Sequence, residues 1–347
     1  MLDSEAGRVV LAGVQPWLQE AFLRNGYSVR VVSNPVPIPA AIPIPAPLSS
    51  WLRSLSTGVA AARVASRTRA TLVAEDMTAS CAAVLAGFGR FHDRGILGIN
   101  LIFESNPSLR RRARGLLHRL ALRNPRARFT VSSAMLADTY ARIFGVSSNR
   151  FPLLPDCIPP DWISPVHPAM APDDGYVFVG GERCRDWSTA LEAARIAGDI
   201  EFVFAARSKR WRSVPVPPNV TVKLDLSVED FFDSVARARL VAITLTSGVT
   251  AGLVVLLNAV LRGKLVIATR TSVTELYAPA TCLDVLVPIG EPSALATTIR
   301  RYHADDENRL AFAIECQDFV VTMHSAQAYE RQLADIIREM AGSSRKL

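Results

Sequence analysis

Thr246-Ser247-Gly248-Val249-Thr250-Ala251-Gly252-Leu253-Val254-Val255-Leu256-Leu257-Asn258-Ala259 continues through Val260-Leu261-Arg262-Gly263-Lys264 into Leu265-Val266-Ile267-Ala268-Thr269. It reads as a turn of small residues, a buried helix, a glycine stop and a buried strand. A helix entered from such a turn has backbone N–H groups at its start with no partner inside the helix, and these can hold an anion, most often phosphate. Asn258 is the one polar residue in the helical run. A buried amide needs partners, so it either bonds to backbone or faces a ligand.

Working outward from this stretch, strand and helix signals alternate along the chain. Arg8–Gly13 predicts a strand, and Pro16 opens a helix that ends at Asn25-Gly26. Ser28–Ser33 predicts the next strand. Prolines 35, 37, 39, 43, 45 and 47 then forbid a helix and predict a long extended edge. A helix from Ser49/Ser50 to about Arg69 follows, then strand 71–74, helix 75–85, strand 99–103, a basic helix 107–123, strand 129–131 and helix 134–144. Phe151–Ile158 predicts a strand. Beyond the proline-rich stretch, strands are expected at 176–179, 200–205, 220–222, 240–245, 265–268 and 283–287. Helices are expected at 187–196, 228–236 and before Arg262, with three closing helices from Pro292 to Met340.

Such βα alternation predicts an α/β protein with two Rossmann-like doubly wound domains facing a cleft. At 347 residues the chain exceeds what one hydrophobic core usually organises. The expected boundaries are an N-terminal domain over 1–158, a proline-rich linker over 159–175 and a C-terminal domain over 176–325. Residues 326–347 form a last helix that packs back on the N-terminal domain.

Composition narrows the function classes. A hydrophobic content of 49% with 20% charged residues is that of a globular chain. Residues 1–157 carry 19 arginines against nine acidic residues, whereas the remainder has a small acidic excess. The basic half either meets an anionic partner or is a solvated surface. The five cysteines form no CxxC and no cysteine–histidine cluster, which argues against a disulfide framework or a zinc site. No apolar run reaches the ~20 residues that span a bilayer. The acidic start Met1–Glu5 lacks a signal-peptide charge pattern. A cytoplasmic protein is expected, with peripheral membrane contact as an option for the amphipathic, arginine-rich 107–123 helix. Aromatic interleaving is missing there, so nucleic acid is not expected as a partner.

Ligands of doubly wound sheets bind outside the strand C-terminal ends. In the second half those ends carry Gly180-Gly181-Glu182-Arg183-Cys184-Arg185-Asp186, then Ala206-Arg207-Ser208-Lys209, then Lys223-Leu224-Asp225-Leu226-Ser227, and the Ser247–Leu253 turn. Paired glycines, guanidinium and ammonium groups and a helix start form a phosphate-binding inventory. GxGxxG after the first strand, GxxxxGK[ST], HExxH and GxSxG are all absent, which disfavours NAD enzymes, P-loop NTPases, zinc proteases and serine hydrolases.

These residues resemble the nucleotide-sugar domain of retaining GT-B glycosyltransferases, the large sugar-transferase family four. The family motif places one acidic residue eight before another, followed by Ala, then Gly-Lys or Gly-Arg, then a strand. Thr250 and Asn258 stand at the two acidic positions, and Ala259, Gly263-Lys264 and Val266–Thr269 continue the match. The Gly180-Gly181 loop with Arg185-Asp186-Trp187, and Phe151–Asp156, are also similar to family members. The resemblance covers about 176–290 well, and the first half only by element order and the 129–156 segment. It implies transfer of a sugar from a nucleotide-diphosphate donor to a hydroxyl acceptor, with retention at the anomeric carbon. No cofactor is implied beyond the donor co-substrate, and no metal, because cations and a helix start neutralise the diphosphate. The acceptor is then a natural product or a cell-envelope glycoside or lipid.

By position, the resemblance implies Asn258 at the donor ribose and Thr250 near the transferred sugar. Gly252, Leu253 and Val254 supply amides, and Arg183, Arg185 and Lys209 face phosphate; Gly180, Gly181, Leu226 and Ala251 are the further donor-binding candidates. Neither Thr nor Asn reproduces a carboxylate's charge toward two hydroxyls. The substitutions leave three readings: a transferase with an unusual or weaker-bound donor, a sugar-nucleotide epimerase, or a non-catalytic nucleotide- or sugar-binding module. In the first domain, Glu104 and His92 are the candidate catalytic groups. Gln15, Glu75, Ser105 and Asn106 are the candidate acceptor contacts, each with a capping or solvated role as its alternative.

Overall fold

The computed structural model describes residues 7–33, 46–87, 95–103, 109–207, 211 and 213–343. The chain divides into two compact units, Met1–Asp156 with Ala326–Leu347, and Cys157–Ser325.

The first unit alternates β1 (Arg8–Ala12), α1 (Trp17–Arg24), β2 (Ser28–Val32), α2 (Ala46–Thr68), β3 (Thr71–Glu75), α3 (Asp76–Gly87), β4 (Ile96–Ile99), α4 (Leu109–Leu122), β5 (Ala127–Phe129) and α5 (Ala134–Phe144). Its five strands pair in parallel in the order β2-β1-β3-β4-β5. Val9–Ala12 and Leu72–Ala74 are buried apolar runs, as central parallel strands require. Local signals set the helix ends. Ser133 Oγ accepts from Leu136 N at 3.3 Å to start α5, and Gly145 at φ 71° ends it.

The second unit runs β6 (Val177–Gly180), α6 (Trp187–Ile196), β7 (Phe202–Ala206), β8 (Val220–Leu224), α7 (Val228–Arg237), β9 (Leu240–Ile243), α8 (Leu253–Leu261), β10 (Leu265–Thr269), β11 (Leu286–Val287), α9 (Pro292–Ala304) and α10 (Asp306–Met323). Its six strands lie in the order β11-β10-β9-β6-β7-β8. All pairings are parallel, and β6, β7, β9 and β10 are buried along their whole length. The order reverses between β6 and β9, so the loops after these two strands emerge side by side. That is the topological switch point of a doubly wound sheet.

The final helix, α11 (Ala326–Ser343), belongs to the first unit. Trp17 meets Tyr329 edge-on at 5.7 Å, and Arg24 pairs with Glu330 at 2.7 Å. The proline-rich 159–175 segment runs along the second unit. Val166 N donates to Leu261 O at 2.8 Å, and Lys264 Nζ donates to Pro172 O.

Several expected elements differ from those observed; the strand expected at 129–131 lies at Ala127–Phe129. The strand placed at 99–103 lies at Ile96–Ile99, because Asn100 turns the chain at φ 56°. Phe151–Ile158 makes only isolated bridges, Val131 with Leu153 and Ile158 with Ser325. Pro152 and Pro155 lack the N–H that a continuous ladder needs. The 283–287 strand is two residues long after a 3₁₀ turn at Ala280–Val285, and α2 starts at Ala46, ahead of the expected start at Ser49/Ser50. Pro35, Pro37, Pro39, Pro43 and Pro45 lie outside the described residues, whereas Pro47 lies in the first turn of α2 and not in an extended edge, a position where proline's missing N–H costs nothing. No described helix is long and apolar enough to cross a membrane.

Candidate functional site

The β6–β9 switch point is held together by backbone. Arg185 and Leu245 form an antiparallel bridge, Asp186 N donates to Thr244 O at 3.1 Å, and Thr246 N donates to Cys184 O at 2.9 Å. Asp186 then accepts from Thr189 N at 3.0 Å and starts α6. The two loops therefore form one platform that places Arg185 beside the start of α8.

Arg185 is 8% exposed. Its Nε donates to Gly180 O at 2.7 Å, whereas Nη1 is buried with no hydrogen-bond partner among the described residues. No described carboxylate pairs with it. Desolvation lowers its pKa to about 10, so it stays charged at neutral pH. A buried cation without a counter-ion is costly, and an anion at this point relieves the cost.

The walls around the guanidinium are glycine for a steric reason. Gly181, at φ 112°, lies against it, and a Cβ there would collide with Nη2. Gly252, at φ 83°, caps α8, and a Cβ there would stand 3.0 Å from Nη1. The first intrahelical bond of α8 is Leu256 N to Gly252 O at 2.9 Å. By helix geometry the N–H groups of Leu253, Val254 and Val255 are open at that end, with the positive end of the helix dipole behind them.

Beside this anion grip lies a cavity of about 280 Å³. Its apolar lining includes Leu226, Phe231, Phe232 and Val254, and Gly181 joins it to the grip. Among the described residues, Glu182 and Arg207 are its charged lining residues; they pair with each other at 3.2 Å and are both more than 60% exposed in their side chains.

The sequence-predicted donor residues thus separate into groups. Gly180, Gly181, Arg185 and Gly252, with the start of α8 at Leu253 and Val254, come together as the grip. Leu226 and Val254 line the cavity. Ala251 and Thr250 are buried at 6% and 5% exposure. Arg183 is exposed and has no ion pair among the described residues. Asn258 is engaged within its own helix: Nδ2 donates to Val254 O at 2.9 Å, and Oδ1 accepts from Arg262 Nη1 at 2.8 Å. Arg262 lies 5.1 Å over the Phe232 ring, so Asn258 supports the cavity wall from behind. Lys209 lies outside the described residues.

In the first unit, Glu75 ends β3 and Gln15 lies in the loop after the paired strand β1. Both are exposed, and Glu75 accepts from Ser54 and Thr78 hydroxyls at 3.2 and 3.1 Å. His92, Glu104, Ser105 and Asn106 lie outside the described residues. Arg114 of α4 pairs with Asp76 and donates to His118 Nε2 at 3.3 Å, while Leu116 is 57% exposed. No group of three or more His, Cys, Asp or Glu among the described residues could hold a metal ion.

Sequence reasoning missed Glu182 and the Phe231–Phe232 wall as site features. The signal available for the phenylalanines was the adjacent aromatic pair on a helix with a sharply apolar face, which reads equally well as core. Thr244 was also missed; its buried Oγ1 has no partner among the described residues.

Solved structures similar to this chain include enzymes and complexes of sugar transfer. Sucrose-phosphate synthase from Thermosynechococcus elongatus superposes with a TM-score of 0.71 at 16% identity, over 97% of this chain and 100% of that one. Anabaena HepE in complex with UDP gives 0.63 at 13%, over 96% and 100%. A glycosyltransferase from Rickettsia africae gives 0.62 at 11%, over 97% and 99%. No family model and no curated protein sequence matches the chain. At these identities the likeness establishes the fold: two parallel-sheet α/β domains of the GT-B type.

Proposed function

We propose that the protein is a glycosyltransferase that takes a sugar from a nucleoside-diphosphate donor and transfers it to a hydroxyl acceptor. The observation that supports this most directly is the buried, unpartnered Arg185 Nη1 at the open start of α8. Breaking the bond between the anomeric carbon and the diphosphate builds negative charge on the leaving oxygen. Arg185 and the α8 amides stand where that charge is neutralised without reorganisation. The cavity lined by Leu226, Phe231 and Phe232 receives the base, and Thr250 lies near the transferred sugar. Arg183 and Lys209 add charge from their loops, so the reaction needs no metal. Retention follows the family resemblance.

On this reading the first domain presents the acceptor, with Gln15, Glu75, Ser105 and Asn106 as contacts and Glu104 and His92 handling the proton. The acceptor is a natural product or a cell-envelope glycoside or lipid. A lipid-linked acceptor is met through α4, where Arg112, Leu116 and Arg119 are exposed. The protein works in the cytoplasm.

The test is calorimetric titration with UDP, GDP, TDP and ADP in EDTA, followed by nucleotide-sugar hydrolysis without acceptor. Binding without metal and slow hydrolysis are expected. A failure of all four nucleotides to bind would end the proposal. One observation favours a second reading, a binding module: Asn258, at a position where the family keeps a carboxylate, is bonded inside its helix. Nucleotide binding with no turnover of any nucleotide sugar would select that reading.

A further inference from the structure

The donor reading leaves the ribose without an obvious partner, since both polar ends of Asn258 are engaged by Val254 O and Arg262. Gly181 and Val254 each belong to both halves of the site. Gly181 lines the cavity and lies against the Arg185 guanidinium. Val254 lines the cavity and carries one of the open amides of α8. A nucleoside diphosphate with its base in the cavity and its phosphates on Arg185 therefore passes its ribose across the junction of these two residues.

Glu182 is the next residue after Gly181 and is the one carboxylate among the described residues lining the cavity. Arg207 Nε holds its Oε1 at 3.2 Å, and that single contact leaves acceptor capacity on both oxygens. The 2′- and 3′-hydroxyls of a ribose are neighbouring donors that one carboxylate can accept together, and such charge-assisted bonds are the stronger ones.

Resting on the donor reading above, we infer that Glu182 recognises the ribose hydroxyls and makes the site specific for ribonucleotides over 2′-deoxyribonucleotides. Arg207 is its positioning residue. The carboxylate that α8 lacks is supplied from the β6 loop, on the opposite side of the same junction.

Calorimetric titration of the full chain tests this with UDP, GDP, ADP and CDP and their 2′-deoxy counterparts. Wild type is expected to bind the preferred ribonucleotide about tenfold or more tightly than its 2′-deoxy form. Glu182→Gln should weaken the ribonucleotide by about that factor, leave the 2′-deoxy form nearly unchanged and so close the gap. Glu182 is exposed, so its melting temperature should match wild type. Asn258→Ala should leave the ribo-to-deoxy ratio intact. Equal binding of both forms by wild type, or a ratio that survives Glu182→Gln, overturns the inference while the donor reading stands. Failure of every nucleotide to bind overturns both.

Discussion

Arg185 Nη1 and Gly252 are fitted to each other: a Cβ on Gly252 would stand 3.0 Å from that nitrogen, which has no hydrogen-bond partner among the described residues. The sheet order produces this fit, because β6 and β9 are neighbours at the point where the strand order reverses. A cation is thereby held at the positive end of a helix, an arrangement with a net cost until an anion arrives.

Arg185→Met should separate stability from function. It removes a buried, unpaired charge at the cost of the 2.7 Å bond to Gly180 O. The unliganded variant should therefore melt at or above the wild-type temperature. Its affinity for a nucleoside diphosphate should fall at least about tenfold, the value of a hydrogen bond to a charged group. Thermal melts with and without UDP read both quantities. A cooperative loss of stability without ligand would show that Arg185 has a structural role instead.

Gly252→Ala should be strained twice, by its φ of 83° and by the approach to Arg185. A loss of about 1–2 kcal/mol and weaker nucleotide binding are expected. Gly248→Ala, in the same turn, meets nothing nearer than Thr271 Cβ at 4.0 Å and should cost little. Urea unfolding of the two variants makes the comparison.

Asp156 gives a pH signature. Burial pushes its carboxyl up to about 6, and Asn100 Nδ2 donates to Oδ1 at 3.1 Å. The folded pKa lies above the unfolded value near 3.9, so the folded state holds the proton more tightly. This group's contribution is present at low pH and is lost as pH rises from about 4 to 6, by roughly 2–3 kcal/mol. Asp156→Asn keeps an acceptor for Asn100 and removes the charge. It should raise the melting temperature at pH 8 and leave it unchanged at pH 4. A lower melting temperature at pH 8 would mean that the ionised carboxylate is stabilising.

His118 should act with the opposite sign. It is fully buried, and desolvation together with Arg114 pushes its pKa down to about 3. Arg114 Nε donates to Nε2, so Nδ1 carries the proton and donates to Ser80 Oγ at 2.8 Å; Ser80 donates onward to Asp76 O at 2.7 Å. Here the unfolded chain binds protons more readily, so stability falls as pH drops from about 6.5 toward 3. His118→Gln should flatten that acid limb, and Ser80→Ala should cost about 1–2 kcal/mol at pH 7 by leaving the imidazole N–H unpaired. Acid titrations followed by circular dichroism check both. An unchanged acid limb would remove His118 as its cause.

Much of the architecture was legible because parallel strands buried on both faces read as plain apolar runs, such as Phe202–Ala206 and Leu265–Thr269. Helix ends were legible where a side chain caps its own backbone, as Asp186 does for α6 and Ser227 for α7. The misplaced strand near Ile99 shows the limit. Asn100 takes a left-handed turn that no local pattern announces, and Leu101–Phe103 are as apolar as a strand would be.

By itself the sequence determined two parallel α/β domains, a glycine-led start to α8, and arginines in the loops beside it, because periodicity and turn chemistry are local properties. The tertiary structure decided which of those residues matter to one another. It buried Arg185 and left Arg183 in solvent, turned Asn258 toward Arg262, and brought Glu182, Phe231 and Phe232 around one cavity. Those outcomes depend on which strands are neighbours at the β6–β9 switch point, a long-range choice made by core packing that no single segment of the chain encodes.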